Sequence, residues 1–173
     1  MSKETEDLKE KSVREALSRI TIVGVEDARI DDIEQLLTNL SSLGQFQLMD
    51  ARFILGEDHV RFACFEALRV FDNGQNITVS LPMEILIRAA CTTQISEAIE
   101  RLGVRKGSSD LVLVAIEAGK NGVEAAIALT KGRESSGPLK GGPEKRVRVK
   151  KAFSLTEPVE RTLLERIALS SVG

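Results

Sequence analysis

Residues 59–71 read HVRFACFEALRVF and residues 80–90 read SLPMEILIRAA. In the first stretch, apolar residues recur every three or four positions, which predicts a helix with one buried face. Asp58 can cap its start, and Gly74 follows its end. The second stretch is apolar almost throughout, with Ser80 as a candidate cap, so it predicts a helix that is buried on most sides. Together the two stretches predict a helical centre for the fold.

Short strands flank this helical centre. Residues 20–25 form a β-branched run, and residues 111–116 form a continuous aliphatic run that is typical of an interior strand buried on both faces. Residues 46–54 and 146–150 alternate apolar and polar side chains, which predicts two half-exposed strands. Further helices are predicted at residues 33–43 (capped by Asp31 or Asp32), 92–103, 123–129 and 156–169. Because strands and helices intermix, we expect an α/β (α+β) fold in which a single mixed β-sheet packs with a group of central helices.

Composition distinguishes the N-terminal arm, a Gly-, Ser- and Pro-rich stretch and an overlapping basic segment from the rest of the chain. Residues 1–18 predict a charged N-terminal arm, either a solvated helix or disordered, ahead of a single domain at 19–173. Residues 132–144 are rich in Gly, Ser and Pro, which predicts a mobile loop. Residues 131–151 hold eight basic and two acidic residues, a net +6 in a chain whose total is −2, so the rest carries −8. This basic segment is either a footprint for a polyanion or a solvated loop and edge strand whose lysines discourage aggregation.

Residues that could carry chemistry are few. His59 is the only histidine, which excludes multi-histidine metal sites, and its place at a helix start is more typical of a structural role. Cys64 and Cys91 lie in apolar runs without CxxC spacing, so we interpret them as buried small hydrophobes. No GxxxxGK[ST] or GxGxxG phosphate-binding motif occurs. We therefore expect no enzymatic activity, no cofactor and no metal.

Nothing in the sequence predicts a membrane partner. No run of 18 apolar residues is present, and the highly charged start MSKETEDLKEKSVREAL does not resemble a secretory signal. Two buried thiols fit a reducing compartment. We expect a cytoplasmic protein.

One charged pair interrupts the apolar helix at 80–90. Glu84 and Arg88 are four residues apart, which is the spacing of an ordinary intrahelical ion pair. Charges within an apolar helix need either a partner or an opening to solvent. The alternative to a simple ion pair is therefore a rim that faces another macromolecule.

A series of short motifs follows in order along the chain, with HVRFACFEALRVF at 59–71, NI at 76–77, SLPMEIL at 80–86, QI at 94–95 and ERIAL at 165–169. This ordered series resembles the family of small accessory subunits of the KEOPS complex, the TPRKB family. No single motif is specific, whereas their order over roughly residues 20–169 is fairly specific to that family.

The resemblance implies a non-catalytic protein. In the family, the subunit docks on the small KEOPS kinase and helps to recruit tRNA by its 3′ CCA end, and another subunit of the complex installs threonylcarbamoyl on the adenosine beside the anticodon. The implied partners are thus the KEOPS kinase subunit, tRNA and, indirectly, the other KEOPS subunits. The candidate RNA contacts are carried over by motif position for Asn76, Ile77, Arg88 and Gln94, and chosen by charge for Lys150 and Lys151.

The sequence departs from the family pattern at the junction of the predicted helices at 80–90 and 92–103. Where the family tends to have S-G-x-R-Q-I, residues 90–95 read ACTTQI, so Cys91 stands in place of Gly and Thr93 in place of Arg. Gly to Cys suggests a different helix junction, and Arg to Thr removes a cation that could meet phosphate. An alternative function follows, a divergent copy that binds the kinase as a scaffold or regulator without binding tRNA.

Overall fold

The computed structural model describes residues 3–172, with side chains from residue 7 onward. Residues 1 and 2 of the predicted arm, and Gly173, lie outside the described residues. The helices are α1 (Lys3–Ser18), α2 (Ile33–Leu43), α3 (Glu57–Asp72), α4 (Leu81–Ala89), α5 (Ile95–Leu102), α6 (Lys120–Leu129), α7 (Pro143–Ala152) and α8 (Val159–Leu169). The strands are β1 (Ile20–Glu26), β2 (Gln45–Asp50), β3 (Leu111–Ile116) and β4 (Arg133–Glu134), and short 3₁₀ turns lie at Ala51–Phe53 and Gly137–Leu139.

The four strands form one sheet in the order β2-β3-β1-β4, and every pairing is antiparallel. β3 lies between β1 and β2, with Ile22 opposite Val114 on one side and Leu48 opposite Leu113 on the other. A single sheet packed with helices confirms the predicted α+β class, but the four described strands are all antiparallel, so the sheet is not mixed as predicted.

Two apolar layers cover the sheet, one on each face. Alternate residues of β3 point to opposite sides, as the period of two requires. Val112 and Val114 join the larger core, which contains residues of α3, α4, α5, α7 and α8. Leu111 and Leu113 join the smaller core with α2 and α6. Every residue of β3 is buried, which confirms the predicted interior strand.

Two of the predicted helix caps are present. The Asp32 carboxylate accepts a hydrogen bond from the Gln35 N–H at 2.9 Å, and the Ser80 hydroxyl accepts one from the Met83 N–H at 3.4 Å. Asp58 instead lies inside the first turn of α3, where Gly56 occupies the cap position. An acidic residue there still interacts favourably with the positive end of the helix dipole.

The predicted strand at 146–150 is wrong, since these residues belong to helix α7. Their alternation of basic residues and valines mimics a strand, but Val149 is fully buried while Val147 is 67% exposed. The helix starts at Pro143, which suits a first turn, and lysines near its end complement the dipole. The Phe153 N–H donates to the Val149 carbonyl, so helical spacing brings these two core residues together.

The predicted strand at 46–54 is too long. β2 ends at Asp50, whose carboxylate accepts a hydrogen bond from the Arg52 N–H at 3.0 Å and folds residues 51–53 into a 3₁₀ turn. Asp50 also accepts bonds from the Arg52 guanidinium and the Ser108 hydroxyl. These bonds hold the pKa of the Asp50 carboxyl below its ordinary value despite the opposing effect of burial.

Residues 132–144 contain more local structure than a loop prediction suggests. β4 pairs with β1, and the Ser135 N–H donates to the Gly24 carbonyl at 2.9 Å. The Lys145 ammonium, on the first turns of α7, donates to the carbonyls of Pro138 and Lys140 at 2.6 and 3.0 Å. The mobility of the segment stays a prediction.

The described part of the N-terminal arm is helix α1, whose last turn packs Leu17 against the larger core.

Candidate functional site

A pocket of about 530 Å³ lies where the turn between α3 and α4 meets the C-terminal end of α8. Its lining combines two aliphatic side chains, two arginines, one amide and a short stretch of backbone. The lining residues are Arg69, Gln75, Ile77, Arg88, Ser170, Ser171 and Val172. Three separate parts of the chain therefore build one concave surface.

The buried carboxylate of Glu84 fixes the turn that carries Ile77. Its Oε2 atom accepts hydrogen bonds from the N–H groups of Ile77 and Thr78 at 3.0 and 2.8 Å, and from the Thr78 hydroxyl at 3.0 Å. The Asn76 side-chain amide donates to the Thr78 carbonyl at 2.8 Å, which closes the turn on itself. Ile77 consequently points its side chain outward and is 47% exposed.

Arg88 joins the same carboxylate to the C-terminal segment. Its Nε donates to Glu84 Oε1 at 3.0 Å, its Nη2 donates to the same oxygen, and its Nη1 donates to the Ser170 carbonyl. Both side chains of the pair are at most 1% exposed. The Glu84–Arg88 pair is thus a buried ion pair, and its charges are matched within the fold.

A second carboxylate holds the other side of the pocket. Glu66 Oε2 accepts bonds from the Arg69 guanidinium at 2.8 and 3.1 Å and from the Ser171 hydroxyl at 2.7 Å. The Arg69 side chain remains 37% exposed. Arg69 is therefore the more accessible of the two cations that line the pocket.

The structure brings together some of the predicted contact residues and separates others. Ile77 and Arg88 line the pocket, and Asn76 lies in its turn. Gln94 is exposed just before α5, where its N–H donates to the Thr92 hydroxyl at 3.1 Å. Lys150 and Lys151 lie on α7, and the Lys150 ammonium is 2.9 Å from Glu157. Among residues 7–172, no hydrogen bond or ion pair joins these last three to the pocket.

Sequence reasoning missed Arg69, Gln75 and the C-terminal stretch 170–172. The Glu66 and Arg69 pair has the i, i+3 spacing of a helical ion pair, so that signal was available. Nothing in the sequence indicated that residues 170–172 fold back against α3 and α4.

The departure at residues 90–95 leaves the helix junction regular. Cys91 has φ +53, in the left-handed region. The Thr92 N–H donates to the Ile87 carbonyl at 3.1 Å and the Cys91 N–H to the Arg88 carbonyl at 3.0 Å, the pair of bonds that defines a Schellman motif. Glycine is the usual residue at this position, and Cys91 adopts the left-handed conformation that glycine would take there. Thr93 is exposed and supplies no cation.

His59 serves as a structural link between elements. Its Nδ1 accepts a hydrogen bond from the Leu55 N–H at 3.1 Å, so its Nε2 carries the proton and donates to the Ala89 carbonyl at 2.8 Å. Burial lowers the pKa of His59 to about 4, so the ring is neutral at physiological pH. Both ring nitrogens are used within the fold.

His59 also borders a larger cavity of about 870 Å³ at the start of α3. The cavity has an apolar floor, but Glu57, Asp58 and Glu160 stand around it, and Arg146 is the one Lys or Arg among the described residues that line it. Such a rim disfavours a polyanion. Within residues 7–172, no group of three or more His, Cys, Asp or Glu side chains is placed to hold a metal ion. None of the helices described here could span a membrane.

The family model for "Kinase binding protein CGI-121" matches residues 10–172. The chain belongs to this family. The match confirms the resemblance to the KEOPS accessory subunits that the ordered motifs indicated. Membership identifies the chain as a kinase-binding accessory protein. It therefore confirms the part of the sequence prediction that concerned the kinase. No curated protein matches the chain.

Proposed function

We propose that this protein is a non-catalytic KEOPS subunit that binds the kinase of the complex and helps to recruit tRNA, by its 3′ CCA end, for threonylcarbamoyl modification of the adenosine beside the anticodon. The observation that carries the proposal is the pocket between the turn at Ile77 and residues 170–172. The protein contacts the other KEOPS subunits indirectly, through the kinase, and it acts in the cytoplasm.

The chemistry of the pocket suits a single-stranded RNA end. A volume of about 530 Å³ is within the range of small-molecule sites and has room for an unstacked nucleotide. Ile77 and Val172 offer aliphatic packing in a chain without Tyr or Trp. Gln75 can both donate to and accept from a base edge, and the Arg69 guanidinium can stack on a base or meet a phosphate.

Long-range attraction for RNA can come from α7. Lys150 and Lys151 lie near its end, with Arg148 exposed one turn before. Glu157 accepts bonds from both Lys150 and Arg146, which offsets part of this charge. We therefore expect α7 to contribute to the rate and salt dependence of association more than to recognition of the end.

The tRNA half of the proposal is tested by fluorescence anisotropy with intact tRNA and with the same tRNA lacking its CCA end. We expect the protein to bind the intact tRNA more tightly by about tenfold or more, a difference that corresponds to about 1.4 kcal/mol of binding free energy. Ile77→Asp should abolish that difference, while Val147→Asp, at another exposed apolar residue on α7, should leave it unchanged. Equal affinities of the wild type for both tRNAs would refute CCA recognition.

For the kinase, we propose that α5 provides the docking face. Ile95 and Ile99 are 43% and 49% exposed and lie one turn apart, and α5 is the only helix with such a pair among residues 7–172. Ala98 and Leu102 on the opposite side fix the helix in the core, so the exposed pair is held rigidly. A kinase-binding family needs a surface of this kind, because interface cores are apolar.

Substitution separates the α5 face from a general loss of folding. Ile95→Glu with Ile99→Glu should weaken kinase binding by at least about 100-fold, because each charge is desolvated in an apolar contact. Val147→Glu, on α7, is the matched control and should bind as the wild type does. Calorimetric titration with the purified kinase measures both, and unchanged affinity of the α5 variant would place the kinase elsewhere.

A second function has specific support. Thr93 leaves no cation at the position where the family pattern has Arg, and Arg88 spends its charge inside the fold. A protein with fewer phosphate contacts could bind the kinase as a scaffold or regulator without holding tRNA. Strong kinase binding together with no CCA-dependent tRNA binding would favour this function over the first.

A further inference from the structure

The Glu84–Arg88 pair touches both walls of the pocket and is itself buried. One wall is the turn at residues 76–78, which Glu84 holds through three hydrogen bonds. The other wall is the segment 170–172, which Arg88 holds through the Ser170 carbonyl. Each charge therefore satisfies its partner and at the same time fastens one part of the backbone.

We propose that the Glu84–Arg88 pair is a positioning device that sets the width of the RNA pocket without contacting RNA. This inference rests on the proposed function. It differs from the sequence interpretation of Arg88 as a direct RNA contact, because the guanidinium is 1% exposed and donates to Glu84 and Ser170.

Simple stabilisation is a poor explanation for the pair. A buried ion pair contributes little net stability compared with apolar residues of similar volume, because desolvation offsets the attraction. Its value lies in geometry, since the planar fork of Arg88 can bond Glu84 and Ser170 in two directions at once. The two walls belong to segments about 90 residues apart in the chain, and a fixed distance between them is what a nucleotide pocket requires.

Arg88→Gln tests the proposal, because the shorter amide side chain can still donate to Glu84 but cannot also reach the Ser170 carbonyl. We expect amide hydrogen exchange at residues 170–172 to accelerate and tRNA affinity to fall by about tenfold. The slope of log affinity against log salt should stay unchanged, because no phosphate contact is lost. If Arg88→Gln does not fold, Arg88→Lys replaces it, because lysine keeps the positive charge beside Glu84. Arg88→Lys should likewise show faster exchange at residues 170–172, weaker tRNA binding and an unchanged salt slope.

The control is Arg69→Gln, which removes the exposed cation of the same pocket. If Arg69 meets a phosphate, the salt slope should fall by about 0.7 for a single strand. A similar fall in Arg88→Gln would overturn the positioning role in favour of direct contact. Unchanged tRNA affinity in Arg88→Gln, or unchanged exchange at residues 170–172, would also overturn it. A wild-type protein that binds no tRNA would instead refute the proposed function, and the exchange data would still show whether the pair fastens the C-terminal wall.

Discussion

Acidification from pH 7 to pH 5 should destabilise the protein through one residue, His59. Burial lowers the pKa of the imidazole from 6.5 to about 4, with the nearby charge of Lys145 acting in the same direction, while the bond to Ala89 opposes the shift. Between pH 6.5 and pH 4, the imidazole of the unfolded chain binds a proton that the imidazole of the folded chain does not. The stability that the neutral ring contributes is therefore fully present above pH 6.5 and is lost progressively as pH falls towards 4.

The expected loss is about 2 kcal/mol at pH 5 and about 3 kcal/mol in full, from roughly 1.36 kcal/mol for each unit of pKa difference. The window is clean because the chain has one histidine. The carboxylates with lowered pKa values, Asp31, Asp50 and Glu157, lose their contribution only as pH falls below their ordinary range near 4.

Urea denaturation at pH 7, 6 and 5 measures this loss, and His59→Gln is the control. The variant should be less stable at pH 7, by about 1–3 kcal/mol for imperfect replacement of the bonds to Leu55 and Ala89, yet nearly insensitive to pH in this range. Since the single imidazole gives one set of NMR signals, its titration can be followed directly. Parallel pH profiles for the wild type and the variant, or an imidazole that titrates near 6.5, would exclude this role for His59.

Three further outcomes test the packing. Val149→Ala should cost about 2 kcal/mol, whereas Val147→Ala on the same helix should change stability by less than about 0.5 kcal/mol in thermal unfolding, and equal effects would contradict a helical α7. Gly24→Ala should destabilise the protein by about 2 kcal/mol or more, because the new Cβ would stand 2.3 Å from the Ser135 carbonyl oxygen. The control, Gly122→Ala within α6, should stabilise the protein by up to about 1 kcal/mol. If Gly24→Ala had no effect on stability, residues 132–144 would not pack on β1. Cys64 is buried as predicted, whereas Cys91 is only partly buried, and desolvation raises the pKa of both thiols to about 12. Iodoacetamide at pH 8 should therefore modify the native protein far more slowly than the urea-unfolded protein, and rapid labelling of Cys64 in the native state would contradict its burial.

The helical centre and the buried strand could be predicted because their apolar periodicity is a local property of the sequence. α3, α4 and β3 depend on spacing within a dozen residues, and the caps at Asp32 and Ser80 depend on one side chain each. α7 could not be separated from a strand in this way, because a five-residue alternation fits both. What decides for the helix is the burial of Val149 and Phe153 against the larger core, which is a tertiary property.

The candidate site was predicted only in part for the same reason. Asn76 and Ile77 were found because they follow a motif, but the pocket exists because residues 170–172 return to α3 and α4. Arg88 bonds Ser170 and Glu66 bonds Ser171, across separations of 82 and 105 residues along the chain. Charge alone likewise indicated Lys150 and Lys151 as candidates without revealing that Glu157 accepts a bond from Lys150.

The proposed function requires that this one protein hold both the kinase and the tRNA end. The most direct measurement immobilises the KEOPS kinase and records how much labelled tRNA it retains, with and without this protein and with and without the CCA end. We expect retention that requires both the protein and the CCA end and that Ile77→Asp removes. Retention that ignores the CCA end, or kinase-bound protein that retains no additional tRNA, would contradict it.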